Sequence, residues 1–199
     1  MIVTITGPSC AGKTTVEREL QALGWGRAIS HTTRSPRQGE IDGDQYHFVD
    51  LEKFNDLAGA GQFVEAITFS GNHYAISRSS LQVALDQAAF TVVVVDPHGA
   101  EQIRNFCETN KISTLSVWID CGAQEQAARW AKRYSSEPSE TIRQAHVERL
   151  AMMLSEEVEW GRFWYRYDFS AHPGSGGGES PSALANRIVS AAANKAKAF

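Results

Sequence analysis

The sequence predicts an α/β protein, a three-layer core around a parallel sheet with an inserted α+β lobe. Three observations predict it. Continuous apolar, β-branched runs stand at residues 2 to 6, 90 to 95 and 114 to 119, the pattern of strands covered on both faces. Segments with helical spacing follow them at 12 to 23, 98 to 109 and 122 to 133, so strands alternate with crossovers. Residues 30 to 76 break this rhythm with turn-rich and strand-like pieces.

Taken in order, the run Ile2 to Thr6 stops at Gly7, and Val16, Leu20 and Leu23 then share one helical face. Within the insertion, Gln45 to Val49 and Glu65 to Phe69 read as strands around a short helix near Leu51 to Ala58. The core resumes with strands Phe90 to Val95 and Thr114 to Ile119. Residues 134 to 141 form a polar loop, and Glu140 to Trp160 read as a long helix. The stretch 173 to 181 lacks apolar anchors and is expected to be mobile, after which Ser182 is expected to cap a final amphipathic helix. No internal repeat is visible.

A chain of 199 residues with 42% hydrophobic content can bury one substantial core and a small satellite, but not two full-sized domains. Its six prolines and 16 glycines exclude a collagen-like or low-complexity chain. No apolar run approaches the ~20 residues of a membrane span, and no basic leader precedes the first strand, so neither secretion nor membrane insertion is expected. Cys10, Cys107 and Cys121 lack metal-ligand spacing and fit reduced thiols in a cytoplasm, with no structural metal. A net charge of −4 supplies no global basic field for a nucleic-acid polymer. Arginine is nevertheless clustered, at Arg34 and Arg37 and again at Arg129, Arg133, Arg143 and Arg149.

Gly7-Pro8-Ser9-Cys10-Ala11-Gly12-Lys13-Thr14 fits G-x-x-x-x-G-K-[ST] between a buried strand and a helix. The chemistry follows from that placement. Backbone N–H groups converge on phosphate oxygens, the helix N-terminus adds positive potential, Lys13 bridges the outer phosphates, and the Thr14 hydroxyl is a candidate Mg²⁺ ligand. Gly7, Ser9, Ala11, Gly12, Lys13, Thr14 and Thr15 are therefore candidate binders of a nucleoside triphosphate. Asp96, at the end of the Val92–Val95 run, could hold Mg²⁺ directly or through water, or simply cap a helix. Asp96-Pro97-His98-Gly99 and Asn110-Lys111-Ile112-Ser113 do not make a switch GTPase. The second element lacks its carboxylate, and the two stand too close together.

The insertion carries Ser30-His31-Thr32-Thr33-Arg34-Ser35-Pro36-Arg37, Gly39-Glu40-Ile41-Asp42-Gly43, Tyr46-His47-Phe48-Val49, Glu65 and Gly71-Asn72-His73-Tyr74. With the glycine loop, these elements closely resemble guanylate kinase, densely from residue 2 to about 104 and again over 129 to 157. The resemblance implies a P-loop kinase core at 1–29 and 90–199, a nucleoside monophosphate lobe at 30–89 and a mobile lid at about 130–148. It also implies phosphoryl transfer from ATP to GMP or dGMP with Mg²⁺, by a cytoplasmic monomer or homodimer. Arg34, Arg37, Tyr46 and Tyr74 match the family's phosphate-binding positions, and two arginines beside two tyrosines suit charge-assisted bonds to a monophosphate. Glu65 matches the guanine reader, since a carboxylate accepts from both N1–H and the exocyclic amine, and Ser30 matches a further base contact. Asp96 falls on the family's acidic strand end. Arg129, Arg133 and Arg149 match the catalytic arginines of the lid and its neighbourhood if the loop 134 to 141 carries a short insertion.

Three departures stand out. Where the family runs Asn-Tyr-Tyr-Gly-[Ser/Thr]-Ser-Arg, this chain reads Asn72-His73-Tyr74-Ala75-Ile76-Ser77-Arg78, so Ile76 replaces a hydroxyl expected beside the base. The usual Asp-x-Asp ends here as Val94-Val95-Asp96, and the family's Asn-Asp-Asp has no clear match in Tyr167-Asp168-Phe169-Ser170-Ala171-His172-Pro173. A kinase for another or modified purine deoxynucleoside monophosphate is the alternative reading. A non-catalytic interaction module is disfavoured by the intact Gly12, Lys13, Thr14 and lid arginines. His31 and His73 are read as polar residues of the lobe without catalytic roles.

Overall fold

The computed structural model describes residues 1–8, 10–37, 39–69, 71–134, 169–171 and 179–197. Five parallel strands form the main sheet in the order β2 (Gly26–Arg27), β7 (Thr91–Val94), β1 (Ile2–Thr6), β8 (Thr114–Ile119), β9 (Phe169–Ala171). β1 is central because every one of its five residues is buried, as a strand covered on both faces requires. Its alternation feeds two cores. Val3 and Ile5 pack with Val16 and Leu20 of α1 (Lys13–Ala22), while Ile2 on the other face packs with Val93 and Ile103.

The first core is closed by Leu184, Ile188 and Ala192 of the C-terminal helix α6 (Pro181–Lys197). Leu81 and Ala84 of α3 (Arg78–Gln87) and Ile103 and Cys107 of α4 (Pro97–Thr109) close the second. Three layers result, helices on both faces of a parallel sheet. Strand β8 runs over the expected residues, and α5 (Ala123–Tyr134) follows it.

The insertion folds as a second, mixed sheet in the order β4 (His47–Phe48), β3 (His31–Thr32), β6 (Asn72–Ser77), β5 (Phe63–Phe69), with α2 (Leu51–Gly59) between β4 and β5. β3 pairs in parallel with β4 and antiparallel with β6. The strand expected over Gln45 to Val49 shrinks to two residues, because its partner β3 is itself only two residues long. Strands β2, β3 and β9 are too short to show as periodic patterns. Asp50 caps α2 through Lys53 N–H and Ser77 caps α3 through Ser80 N–H.

One cap differs from expectation. The Ser180 hydroxyl, not that of Ser182, accepts the Ala183 N–H at 3.2 Å, because α6 begins at Pro181, whose fixed φ suits the first helical position. The expected loop and helix between 135 and 160 lie outside the described residues, as does most of the expected mobile stretch. Among the described residues, no helix is long and apolar enough to cross a membrane.

Candidate active site

The donor side grows from the C-terminal end of β1. Gly7 adopts φ 141°, and a β-carbon there would run into the Ile119 carbonyl, so only glycine lets the loop leave β1 against the end of β8. Gly12 adopts φ 101° at the N-cap of α1, with no side-chain capping bond and no acidic residue in the first turn. The amides and positive end of α1 therefore face the loop without a competing carboxylate. The Lys13 ammonium spans the loop, donating to the carbonyls of Gly7 at 2.7 Å and Pro8 at 2.8 Å. Thr14 and Thr15 are exposed on the first turn, while Ala11 packs its methyl into the core and takes part through its backbone.

Arg129 reaches the same loop from α5. It donates to the carbonyls of Cys10 and Ala11, both at 3.2 Å, and Glu125, one turn earlier, holds its Nε at 2.7 Å. Arg133 belongs to the last turn of α5, its side chain undescribed. Ser9 and Arg149 lie outside the described residues.

The acceptor side is made of side chains. Arg34 sits 5.3 Å from the Tyr46 ring, and the Tyr46 and Tyr74 rings meet edge to face at 6.0 Å. Glu40 completes the group: its two oxygens take both terminal nitrogens of Arg34 at 2.9 and 3.0 Å, and one of them also accepts the Arg37 N–H at 2.7 Å. Arg34 holds the Glu40 carboxyl below its usual range, chiefly through that hydrogen bond. Burial pushes the Tyr46 phenol up. The Arg37 side chain is exposed beside this group, and Ser30 is half-buried, its carbonyl accepting the His47 N–H. Glu40 has no family role in the sequence reading, although its position three residues beyond Arg37 in Arg-x-x-Arg-x-Gly-Glu was the signal.

Glu65 links the lobe to the core. Only 3% exposed, it lies on β5 against the first turn of α4. Gln102 of α4 clamps that strand by pairing with both the N–H and the carbonyl of Ala66, at 3.1 and 3.4 Å. A β-carbon on Gly99 would come within 2.8 Å of a Glu65 carboxylate oxygen, so glycine there makes the room. Asp96 caps α4, accepting the Gly99 N–H at 2.6 Å, and its charge faces Glu65. Burial first, then Asp96, push the Glu65 carboxyl up to about 8, opposed by a backbone hydrogen bond from Ile76.

Ile76 departs from expectation. Cross-strand from Glu65, and so on the same face of the sheet, its side chain is 0% exposed and packs in the second core with Leu81, Val93 and Ile103. The alternating pattern of β6 turns that position into the space between α3 and α4, where an aliphatic side chain is the better fill.

The loop at the end of the parallel sheet is thus built of backbone amides and a lysine, and the insertion with its mixed sheet brings an arginine together with two tyrosines, two groups of different make that each suit an anion. A protein that holds two phosphorylated ligands this way is a P-loop nucleoside monophosphate kinase, a phosphotransferase. The family model for guanylate kinase matches residues 1–163. The guanylate kinase of Alkalilimnicola ehrlichii is 35% identical over 166 residues, covering 82% of this chain and 78% of that protein. That of Chlamydia felis is 32% identical over 167 residues, covering 82% and 78%. The crystal structure of guanylate kinase from Anaplasma phagocytophilum superimposes with a TM-score of 0.66 at 25% identity, over 98% of this chain and 85% of that one. The chain belongs to the guanylate kinase family, whose reaction is the phosphorylation of GMP by ATP.

Proposed function

We propose that this chain transfers the γ-phosphoryl group of ATP in line to GMP or dGMP, with Glu65 as the base reader and Arg34, Arg37, Tyr46 and Tyr74 as the acceptor-phosphate site. The observation that carries the guanine assignment is the burial of Glu65 at the junction of lobe and core. A carboxylate desolvated there is satisfied by a base edge that offers two adjacent donors, N1–H and the exocyclic amine. Adenine presents an N1 lone pair and a C2 hydrogen at that edge, and would leave the charge unpaired.

Transfer between two phosphates needs positioning and charge neutralisation more than covalent help. Lys13 now spends its donors on the Gly7 and Pro8 carbonyls and is placed to exchange them for β- and γ-phosphate oxygens. Arg129, already on the loop, is the described lid arginine best placed to meet charge on the transferring group, with Arg133 and Arg149 as its expected partners. The acceptor oxygen is anionic, so no general base is required.

Mg²⁺ fits the donor set. Thr14 offers an exposed hydroxyl, and Asp96, whose Oδ1 caps α4, offers a carboxylate, both hard oxygens of the type this ion takes alongside phosphates. When bound, the ion neutralises β- and γ-phosphate charge. The alternative purine reading draws on Ile76, which stands cross-strand from Glu65 and packs in the second core.

A coupled ADP-release assay across all ribo- and deoxynucleoside monophosphates tests the reading. GMP and dGMP are expected to lead. An adenine or pyrimidine acceptor with the highest kcat/KM overturns the role given to Glu65.

A further inference from the structure

The phosphate loop contains a feature that phosphoryl transfer does not use. Cys10, at its crest, adopts φ 63°, a left-handed conformation that favours glycine over any residue with a β-carbon. Cys121 stands just beyond β8, with its sulfur 4.0 Å from the Cys10 carbonyl oxygen. The two are brought together because Gly7 lets the loop lie against Ile119, two residues before Cys121. Both are partly exposed, whereas Cys107 is buried in the second core. Arg129 binds the Cys10 carbonyl and sets a positive charge beside Cys121, which favours a thiolate there and partly offsets the burial that pushes this thiol up.

We propose that Cys10 and Cys121 are a dithiol modification site, oxidised by low-molecular-weight disulfides to an intramolecular bridge that closes the ATP site. One protein thiolate attacks a disulfide such as oxidised glutathione, forming a mixed disulfide and expelling one glutathione thiolate. The second protein thiol then attacks the protein sulfur of that mixed disulfide and expels the second glutathione. The two protein sulfurs lose two electrons in all, the oxidant gains them, and the two thiol protons end on the two glutathiones. Cys10, on the crest of the loop, carries the mixed disulfide, and Cys121, half-covered against the first core, resolves it.

The bridge binds the crest of the loop to the end of β8. Amides that must converge on the donor phosphates are then held by a covalent tether, and Arg129 loses the carbonyl geometry that now seats it. ATP affinity falls while the acceptor lobe, which neither cysteine touches in the contacts described, keeps its own site.

The test oxidises the whole protein with glutathione disulfide and reads three quantities. Peptide mapping without reductant should find residues 10 and 121 cross-linked, with a loss of two hydrogens. Binding of a fluorescent ATP analogue should weaken at least tenfold and recover with dithiothreitol, and saturating ATP should slow the bridge. Cys121→Ser, with turnover near that of the parent when reduced, should stop at the glutathione adduct on Cys10. The idea is overturned if both thiols remain alkylatable, if each carries glutathione without a cross-link, or if the cross-linked protein binds ATP as before. Cys121→Ala repeats the measurement should the serine variant misfold.

Discussion

The two sides proposed here for the donor, ATP, and the acceptor, GMP, are made of different material. The ATP side is backbone: two glycines at positive φ, an uncapped helix end and one lysine resting on carbonyls. The GMP side is side chain: a bidentate Arg34–Glu40 pair, two tyrosines and a carboxylate buried where the lobe meets α4. A backbone cradle binds any phosphate and is indifferent to the base, so it suits the donor tail. A cradle of side chains sets distance and donor pattern, so selectivity belongs to the lobe. Mutations on the two sides should therefore fail differently.

The largest effect is expected on the donor side. Lys13→Ala removes the lysine charge from a largely backbone-built cradle, and kcat should fall by about 10³-fold or more with the fold intact by circular dichroism. Turnover near that of the parent would break the contrast at once.

On the acceptor side, Glu65→Gln should lower kcat/KM for GMP by roughly 100-fold while leaving the KM for ATP unchanged, because the amide turns an N–H donor toward one of the two guanine donors. The pH dependence has a definite sign. The folded state holds the Glu65 proton up to about 8, against the ordinary 4.5 of a free glutamate. The native protein thus binds more protons than the unfolded chain between those values, and Glu65 erodes stability as pH rises through that window. A GMP-free melt of the parent should show this slope, and Glu65→Gln should lack it. GMP binding needs the anion, so GMP affinity should climb from pH 6 to pH 8 in the parent and stay flat in the variant.

A smaller effect is expected where the lobe is held rather than read. Glu40→Gln keeps the shape of the fork and removes its charge, and the KM for GMP should rise roughly tenfold with kcat and the KM for ATP nearly constant. A fall in the KM for GMP would instead mean that Glu40 competes with the phosphate for Arg34. The smallest change in chemistry belongs to Ile76→Thr. A hydroxyl placed among Leu81, Val93 and Ile103 should cost about 1–3 kcal/mol of stability, read as a lower Tm, with the GMP-to-AMP preference unaltered.

What the sequence determined by itself is local. The Gly7–Thr14 loop, the strands beginning at Ile2, Thr91 and Thr114 and the helices after them were legible because strand and helix periodicities and glycine chemistry act over a few residues. Arg34, Tyr46 and Glu65 were legible through spacing and resemblance, and Arg34 and Tyr46 do meet. Tertiary structure decided the rest. The meeting of Glu65 with Asp96 and Gly99 joins β5 to α4 across about 30 residues, and that of Cys10 with Cys121 spans more than a hundred. Ile76 stands in the right place in the chain, yet which side of β6 faces the core was settled by α3 and α4 packing on it. Short-range preference fixes φ and ψ, but burial, which sets both the charge state of Glu65 and the direction of Ile76, exists only once distant segments have excluded water together.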